Sequence, residues 1–288
     1  MSISRQNLSV VIVTIKSEKV IHSCVGSINQ NIPIIVVEHS NNKNFKDKLE
    51  QKYTNLKCIL SKSNLGTGTG YNIGIKAANT EYVLVLNADV VLEKNAIDEL
   101  FLASKDLPNF SILAPLEKNF VNYGIFNKKK SNEDMGVSPF EVDFVDGFAM
   151  LLNKKNFREA NYFDESFFMY WENNDICIRV INDGGSVFIV PKAKIKHLGA
   201  KAVDPKFFKE IELSRNWHWM WSTFNYHRKY KGFFISFIII LPKLSSAIIK
   251  VLIYSLIFNK GKRKIYYQRL SGLINAMMGK SSWYRPKV

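Results

Sequence analysis

Over the first 200 residues, short apolar runs alternate with longer polar or amphipathic stretches. Residues 8–13, 34–37 and 83–86 are brief apolar runs with β-branched members, and 56–60 reads as a further short strand. Such runs mark strands buried on both faces. Between them the pattern predicts a weakly amphipathic helix over 17–29, a charged surface helix over 45–53, and a helix beginning near Gly70 in a glycine-rich stretch. Further on it predicts a helix over 96–104, strands over 111–114, 142–145 and 187–190, and a helix from Trp171 that stops at Gly184-Gly185. Residues 117–140 lose periodicity and carry Lys128-Lys129-Lys130, which reads as a mobile surface loop bordering an acceptor. The repeated alternation predicts an α/β fold: a doubly wound, mostly parallel sheet with helices on both faces and right-handed crossovers.

The strand ends are where chemistry is expected, because open α/β sheets bind ligands beyond the carboxyl ends of their strands. The run at 83–86 stops at Asn87-Ala88-Asp89, so Asp89 points toward that crevice. A single hard carboxylate there suits Mg²⁺ or Mn²⁺, which keep coordination sites for water and phosphate oxygens. Asp146 likewise follows the run at 142–145, and His197 follows the run at 187–190 on a polar, Gly-ended loop. Glu172 and Asp175 lie three apart and share a face near the start of their helix. The glycines at 66, 68, 70 and 74 permit close backbone approach to a ligand, or form only a turn and helix cap. Tyr71 and Ile73 occupy the positions where a dinucleotide fingerprint needs glycine, and no GK[ST] follows, so neither that motif nor a Walker loop is present.

Charge divides the chain. Residues 1–212 hold 26 Lys/Arg against 25 Asp/Glu, whereas residues 213–288 hold 14 Lys/Arg and no acid. The formal charge of +15 is thus a property of the tail, where it is mixed with Phe, Ile, Leu, Trp and Tyr. That mixture fits an anionic membrane surface and argues against nucleic acid, because apolar burial and charge attraction act together there. The run at 233–258 is almost wholly apolar but is interrupted by Pro242, Lys243 and Lys250, with Ser236, Lys243 and Lys250 spaced by sevens. It reads as helices lying in the membrane interface or a re-entrant pair; a tilted span and a hairpin packed on protein are the alternatives. Two regions are expected, a catalytic domain over 1–205 and a basic helical, membrane-associating region over 206–288. Cys24, Cys58 and Cys177 are widely spaced and suggest neither disulfides nor zinc. The N-terminus shows no apolar leader, so the expected location is the cytoplasmic face of the membrane, peripheral or monotopic.

Taken in order, VVIVT (10–14), IIVVEHSNN (34–42), NLGTGTGYNIGI (64–75), LNAD (86–89), FDESFFMYWENND (163–175) and IKHLG (195–199) resemble family 2 glycosyltransferases of the GT-A fold, in particular the rhamnosyltransferase-like branch of bacterial surface polysaccharide synthesis. The resemblance implies inverting transfer of a sugar from a nucleoside diphosphate sugar to a glycan or polyprenyl-linked acceptor. By it, Thr14, Glu38, Asn64 and Gly66 would lie along the nucleotide, with Asn87 near the ribose and phosphates. Asp89 and His197 would hold a divalent metal. Three positions depart from the pattern. Ile15-Lys16 replaces an aromatic and Asn, Glu38 stands where Asp is common, and Glu172-Asn173 replaces the usual Glu-Asp pair, whose second member is the expected base. Since asparagine cannot accept a proton, the base falls to Glu172, Asp146 or Asp175, with Glu172 preferred; otherwise the chain is a non-catalytic relative that binds nucleotide sugar or scaffolds an assembly complex.

Overall fold

The computed structural model describes residues 6–107, 109–126, 137–199 and 205–286, so Lys128-Lys129-Lys130 lie outside the described residues. The chain forms two compact units: Met1–Asp164 with Asn173–Asp204, and Glu165–Glu172 with Pro205–Val288.

In the first unit, four strands, β1 (Leu8–Thr14), β2 (Ile34–Glu38), β3 (Leu56–Leu60) and β4 (Tyr82–Asn87), pair in parallel in the order β3-β2-β1-β4. The sheet continues through β10 (Ala149–Asn153), β6 (Phe110–Glu117), β11 (Ser186–His197) and β5 (Val90–Leu92), with β8 (Phe140–Glu141) beside β11. Six of the nine strands run one way, while β5, β8 and β10 are reversed. β7 (Tyr123–Gly124) and β9 (Phe144–Val145) form a separate two-stranded ladder.

Alternation along each strand sends successive side chains to opposite faces, which explains two separate cores. From β1, Leu8, Val10 and Ile12 join one core with α1 (Ile21–Gly26), α2 (Lys43–Lys52) and α4 (Ala96–Asp106). Val11 points the other way, into a core with α3 (Thr67–Ala77) and α5 (Glu172–Asn182). Burial of each such side chain contributes about 1.5–3 kcal/mol.

Several expected boundaries move. β10 carries no expectation from the pattern, because its AMLLN run follows a loop and is inserted antiparallel between β4 and β6. β5 follows β4 after a two-residue turn, since Val90–Leu92 finds a partner in the far end of β11. The stretch 117–126, expected to be mobile, is instead tied down: Glu117 closes β6 and Tyr123–Gly124 pairs with β9. Of the run expected over 142–145 only Phe144–Val145 is a strand, β9, while β8 lies just before it at Phe140–Glu141.

The second unit is helical. α6 (Phe208–Leu256) is two helical segments meeting at Gly232, whose φ of 76° breaks the helical path, and α7 (Lys260–Met277) returns beside it. Trp217, Trp221, Phe224, Ile240 and Leu273 form its core with Phe167. Among the described residues α6 is the one helix long and apolar enough, by length and composition, to cross a membrane. Its outer face is inverted relative to a soluble helix. Phe234, Ile238, Leu241, Ile249, Leu252 and Leu256 are exposed, whereas Ser236 is buried and Lys250 Nζ sits 4.8 Å from the ring of Tyr266 on α7.

Candidate active site

The parallel register places Thr14 beside Glu38 and Val13 beside Asn87, so the carboxyl ends of β2, β1 and β4 form one edge. Thr14 is buried, and its Oγ1 has no hydrogen-bond partner among the described residues. The Glu38 carboxylate accepts Ser40 N–H on both oxygens at 3.0 Å, Ser40 Oγ–H at 2.6 Å and Asn42 N–H at 3.1 Å. Those four contacts occupy the acceptor positions a carboxylate offers. Glu38 therefore shapes the 39–42 loop, and Asn42 in turn caps α2 by accepting from Phe45 N–H at 3.0 Å.

The glycine-rich stretch enters α3 through Asn64, whose Oδ1 accepts Gly66 N–H at 3.1 Å. Gly66 is the N-cap at φ 90°, ψ 170°, a conformation that only glycine adopts readily. Gly74 serves packing: a Cβ there would lie 2.3 Å from Val11 Cγ1, so glycine lets α3 lie close on β1. Between them, Tyr71 donates its hydroxyl to Asn87 Oδ1 at 2.8 Å and reaches Gly147 O at 3.4 Å. Tyr71, which the sequence pattern leaves as a helix residue, thus links Asn87 to the Asp146-Gly147 turn.

Asp89 sits in the turn between β4 and β5 and is buried. The pairing of Val90 with His197 delivers the imidazole to it, Nε2 lying 3.3 Å from Asp89 Oδ1, and Leu198 N–H donates to Asp89 O at 2.9 Å. His197 is the last residue of β11, not a loop residue, because β11 continues past Val190 through a register shift to meet β5. Its ring stacks on Phe148 with centroids 4.4 Å apart, and its backbone N–H donates to buried Glu117 Oε2 at 3.3 Å. Asp146 faces the same imidazole; burial raises its pKa and the charge of His197 opposes that rise. Asp89 and His197, a carboxylate and an imidazole 3.3 Å apart, are the residues that would hold a divalent cation. The described residues contain no group of three or more His, Cys, Asp or Glu placed to hold a metal, so the remaining positions would fall to substrate oxygens and water.

The other two carboxylates have different settings. Asp175 is fully buried and ion-paired with Arg179 Nε at 2.8 Å, while the same guanidinium donates to Asn161 O at 2.7 Å and to Tyr162 O. It anchors α5 to the preceding loop. Asn173 donates its Nδ2–H to Val145 O at 2.8 Å, a contact that an aspartate could not make. Glu172 opens α5; it is buried, and its Oε2 has no hydrogen-bond partner among the described residues. Burial pushes its pKa up to about 7 against a smaller opposing pull from its own backbone amide. The two residues before it, Tyr170 and Trp171, have φ of 68° and 71°. Consecutive left-handed non-glycine residues are costly, of order 1–3 kcal/mol each, and persist only when their surroundings hold them. Trp171 Nε1–H donates to Thr223 Oγ1 at 3.1 Å, and Tyr170 OH accepts from Arg215 Nε at 2.8 Å.

Comparison with known proteins gives this architecture a class. The mannosyltransferase PcManGT from Pyrobaculum calidifontis, solved in complex with GDP-Man and Mn²⁺, superposes with a TM-score of 0.58 at 11% identity over 96% of this chain and 88% of that one. The fold is that of the GT-A glycosyltransferases. Residues 9–172 match the profile of Glycosyl transferase family 2, and the chain belongs to that family. Its relatives include the low-salt glycan biosynthesis hexosyltransferase Agl10 of Haloferax volcanii, 29% identical over 60% of this chain and 61% of that protein. Another is the N-acetylglucosaminyl-diphospho-decaprenol L-rhamnosyltransferase of Mycobacterium tuberculosis, 22% identical over 58% of this chain and 66% of the relative. The chain therefore spans less than two thirds of the length of either relative.

Proposed function

We propose that this protein transfers a sugar, with inversion and divalent-metal dependence, from a nucleoside diphosphate sugar to a glycan or polyprenyl-linked acceptor during surface polysaccharide synthesis. The observation that carries the proposal is the contact of buried Asp89 with half-buried His197 beyond the carboxyl ends of the strands in a family 2 chain. Asp89 and His197 hold the cation, Mg²⁺ or Mn²⁺, which when bound supplies positive charge to the departing diphosphate. Thr14, Asn64 and Gly66 line the nucleotide, Glu38 does so through the loop it shapes, and Asn87, fixed by Tyr71, lies near the ribose and phosphates. The acceptor oxygen forms a bond to the anomeric carbon as the bond from that carbon to the diphosphate oxygen breaks, and the nucleoside diphosphate leaves with the electron pair.

Glu172 takes the acceptor proton. A carboxyl whose Oε2 has no hydrogen-bond partner among the described residues and whose pKa burial pushes up to about 7 is matched to that task at neutral pH. Asp175 is committed to Arg179, and Asp146 faces an imidazole assigned to the metal, which makes each the poorer base. With Glu172 in place the chain does not need an aspartate at 173, so the departure there does not favour a non-catalytic scaffold. The exposed apolar face of α6, with lysines and arginines around it, supports attachment to the cytoplasmic membrane surface, where a lipid-linked acceptor is within reach. Turnover of UDP-, dTDP- and GDP-sugars with Mn²⁺ and a polyprenyl diphosphate-linked sugar tests the assignment. Product formation that is lost with chelator supports it, and metal-independent binding without turnover refutes it.

A further inference from the structure

We propose that Phe120 is a fixed aromatic platform that stacks against the apolar C–H face of a sugar ring beside the Asp89–His197 pair. The inference rests on the glycosyltransferase reading and adds a contact that selects the sugar. Phe120 is 44% exposed, so its ring is open to a ligand. Its ring lies edge-on to Phe148 with centroids 6.0 Å apart and 6.3 Å from the centroid of His197, whose own face stacks on Phe148. The exposed ring therefore stands directly beside the imidazole that contacts Asp89.

The loop carrying it is built to hold still. Glu117 N–H donates to Asn122 Oδ1 at 3.1 Å, and Asn122 Nδ2–H donates to Pro115 O at 2.9 Å, closing the loop on itself. Asn122 is fully buried, and its carbonyl accepts Asp146 N–H at 2.8 Å. At the other end the Glu117 carboxylate takes the backbone N–H of His197 at 3.3 Å and that of Lys118 at 2.8 Å. The loop is thus fastened to Asp146 through the Asn122 backbone carbonyl and to His197 through the buried Glu117 carboxylate, with an exposed ring between the fastenings. A rigid aromatic loses little freedom on binding, and the C–H face of a pyranose is the apolar surface that a sugar can offer it.

The ring to be stacked belongs either to the donor sugar or to the acceptor glycan, and the measurement separates them. Phe120→Ala, Phe120→Leu and Phe120→Tyr are compared with wild type in holoprotein carrying Mn²⁺. For each, titration calorimetry gives Kd for UDP-GlcNAc, GDP-mannose and dTDP-rhamnose beside the bare nucleotides, and turnover gives KM for a polyprenyl diphosphate-linked N-acetylglucosamine acceptor. The expected result is about a three- to tenfold weakening with Ala and Leu, while Tyr stays near wild type and the bare nucleotides are unaffected. A change confined to nucleotide-sugar Kd assigns the donor sugar, and one confined to acceptor KM assigns the acceptor. Three results overturn the platform: neither constant moves, Leu matches wild type, or bare nucleotide affinity falls in parallel. A wild-type chain that binds none of the nucleotide sugars refutes the glycosyltransferase reading itself and the platform with it.

Discussion

Asp89 and Glu172 are both buried carboxylates at the boundary of a regular element, yet their surroundings ask opposite things of them. Asp89 lies in a short unstrained turn and faces an imidazole delivered by strand pairing. Glu172 follows two left-handed residues, and its Oε2 faces no hydrogen-bond donor among the described residues. The first setting puts a carboxylate oxygen beside an imidazole nitrogen, the donor pair proposed to take a metal. The second disfavours charge and so raises proton affinity, as a base at neutral pH requires. The same functional group thus meets two different surroundings, one beside an imidazole and one that leaves Oε2 without a partner among the described residues.

The comparison breaks most directly at Glu172. Glu172→Gln is expected to lower kcat by about 10²–10⁴-fold, with nucleotide-sugar affinity nearly unchanged, in single-turnover and calorimetric measurements. Its wild-type kcat/KM should rise with pH through about 7 and then level off, and the rising limb should vanish in the variant. The same group has a stability signature. Because its folded pKa lies above its ordinary value of 4.5, the folded protein holds the extra proton between the two, and stability declines as pH rises from about 4.5 to about 7. Glu172→Gln should therefore raise the melting temperature at pH 8 and have less effect at pH 4.5.

Asp89→Asn comes next, with an expected loss of about 10²–10³-fold in kcat and loss of Mn²⁺-dependent nucleotide binding. His197→Ala should cost about 10–100-fold in metal affinity, read by Mn²⁺ titration, since it removes one of two protein ligands. The smallest effect sharpens the contrast. Asn173→Asp should bring no gain in rate and should destabilise the fold by about 1–3 kcal/mol in urea melts, because it places a carboxylate against the Val145 carbonyl 2.8 Å away. A faster Asn173→Asp enzyme would mean that the aspartate had become the base and that Glu172 was not.

Much of this arrangement was readable from residue order because its physics is local. β1, β2 and β4 are short runs buried on both faces, and such strands announce themselves as apolar runs that stop at their ligand-facing ends. What stayed hidden depends on contacts far apart in sequence. β5 and the far half of β11 exist because each completes the other, and neither KAKIKH nor VVL signals that alone. Glu117 lies 80 residues from His197, and Tyr71 lies 16 from Asn87. The strain at Tyr170 and Trp171 leaves no mark in the sequence, since neither residue type prefers a left-handed conformation. The exchange of Asp for Asn at 173 was visible, but its meaning was not until the amide was seen to donate to Val145.

On the proposed function, Asp89 carries a divalent cation beneath the diphosphate of a nucleotide sugar. It is tested most directly by titrating the wild-type protein and Asp89→Asn with UDP-, dTDP- and GDP-sugars, each with Mn²⁺ and with chelator. The expected result is that at least one sugar nucleotide binds the wild type only when Mn²⁺ is present, and that Asp89→Asn binds it no better than the chelated wild type. Equal binding by both proteins, or binding that chelator leaves unchanged, would contradict it.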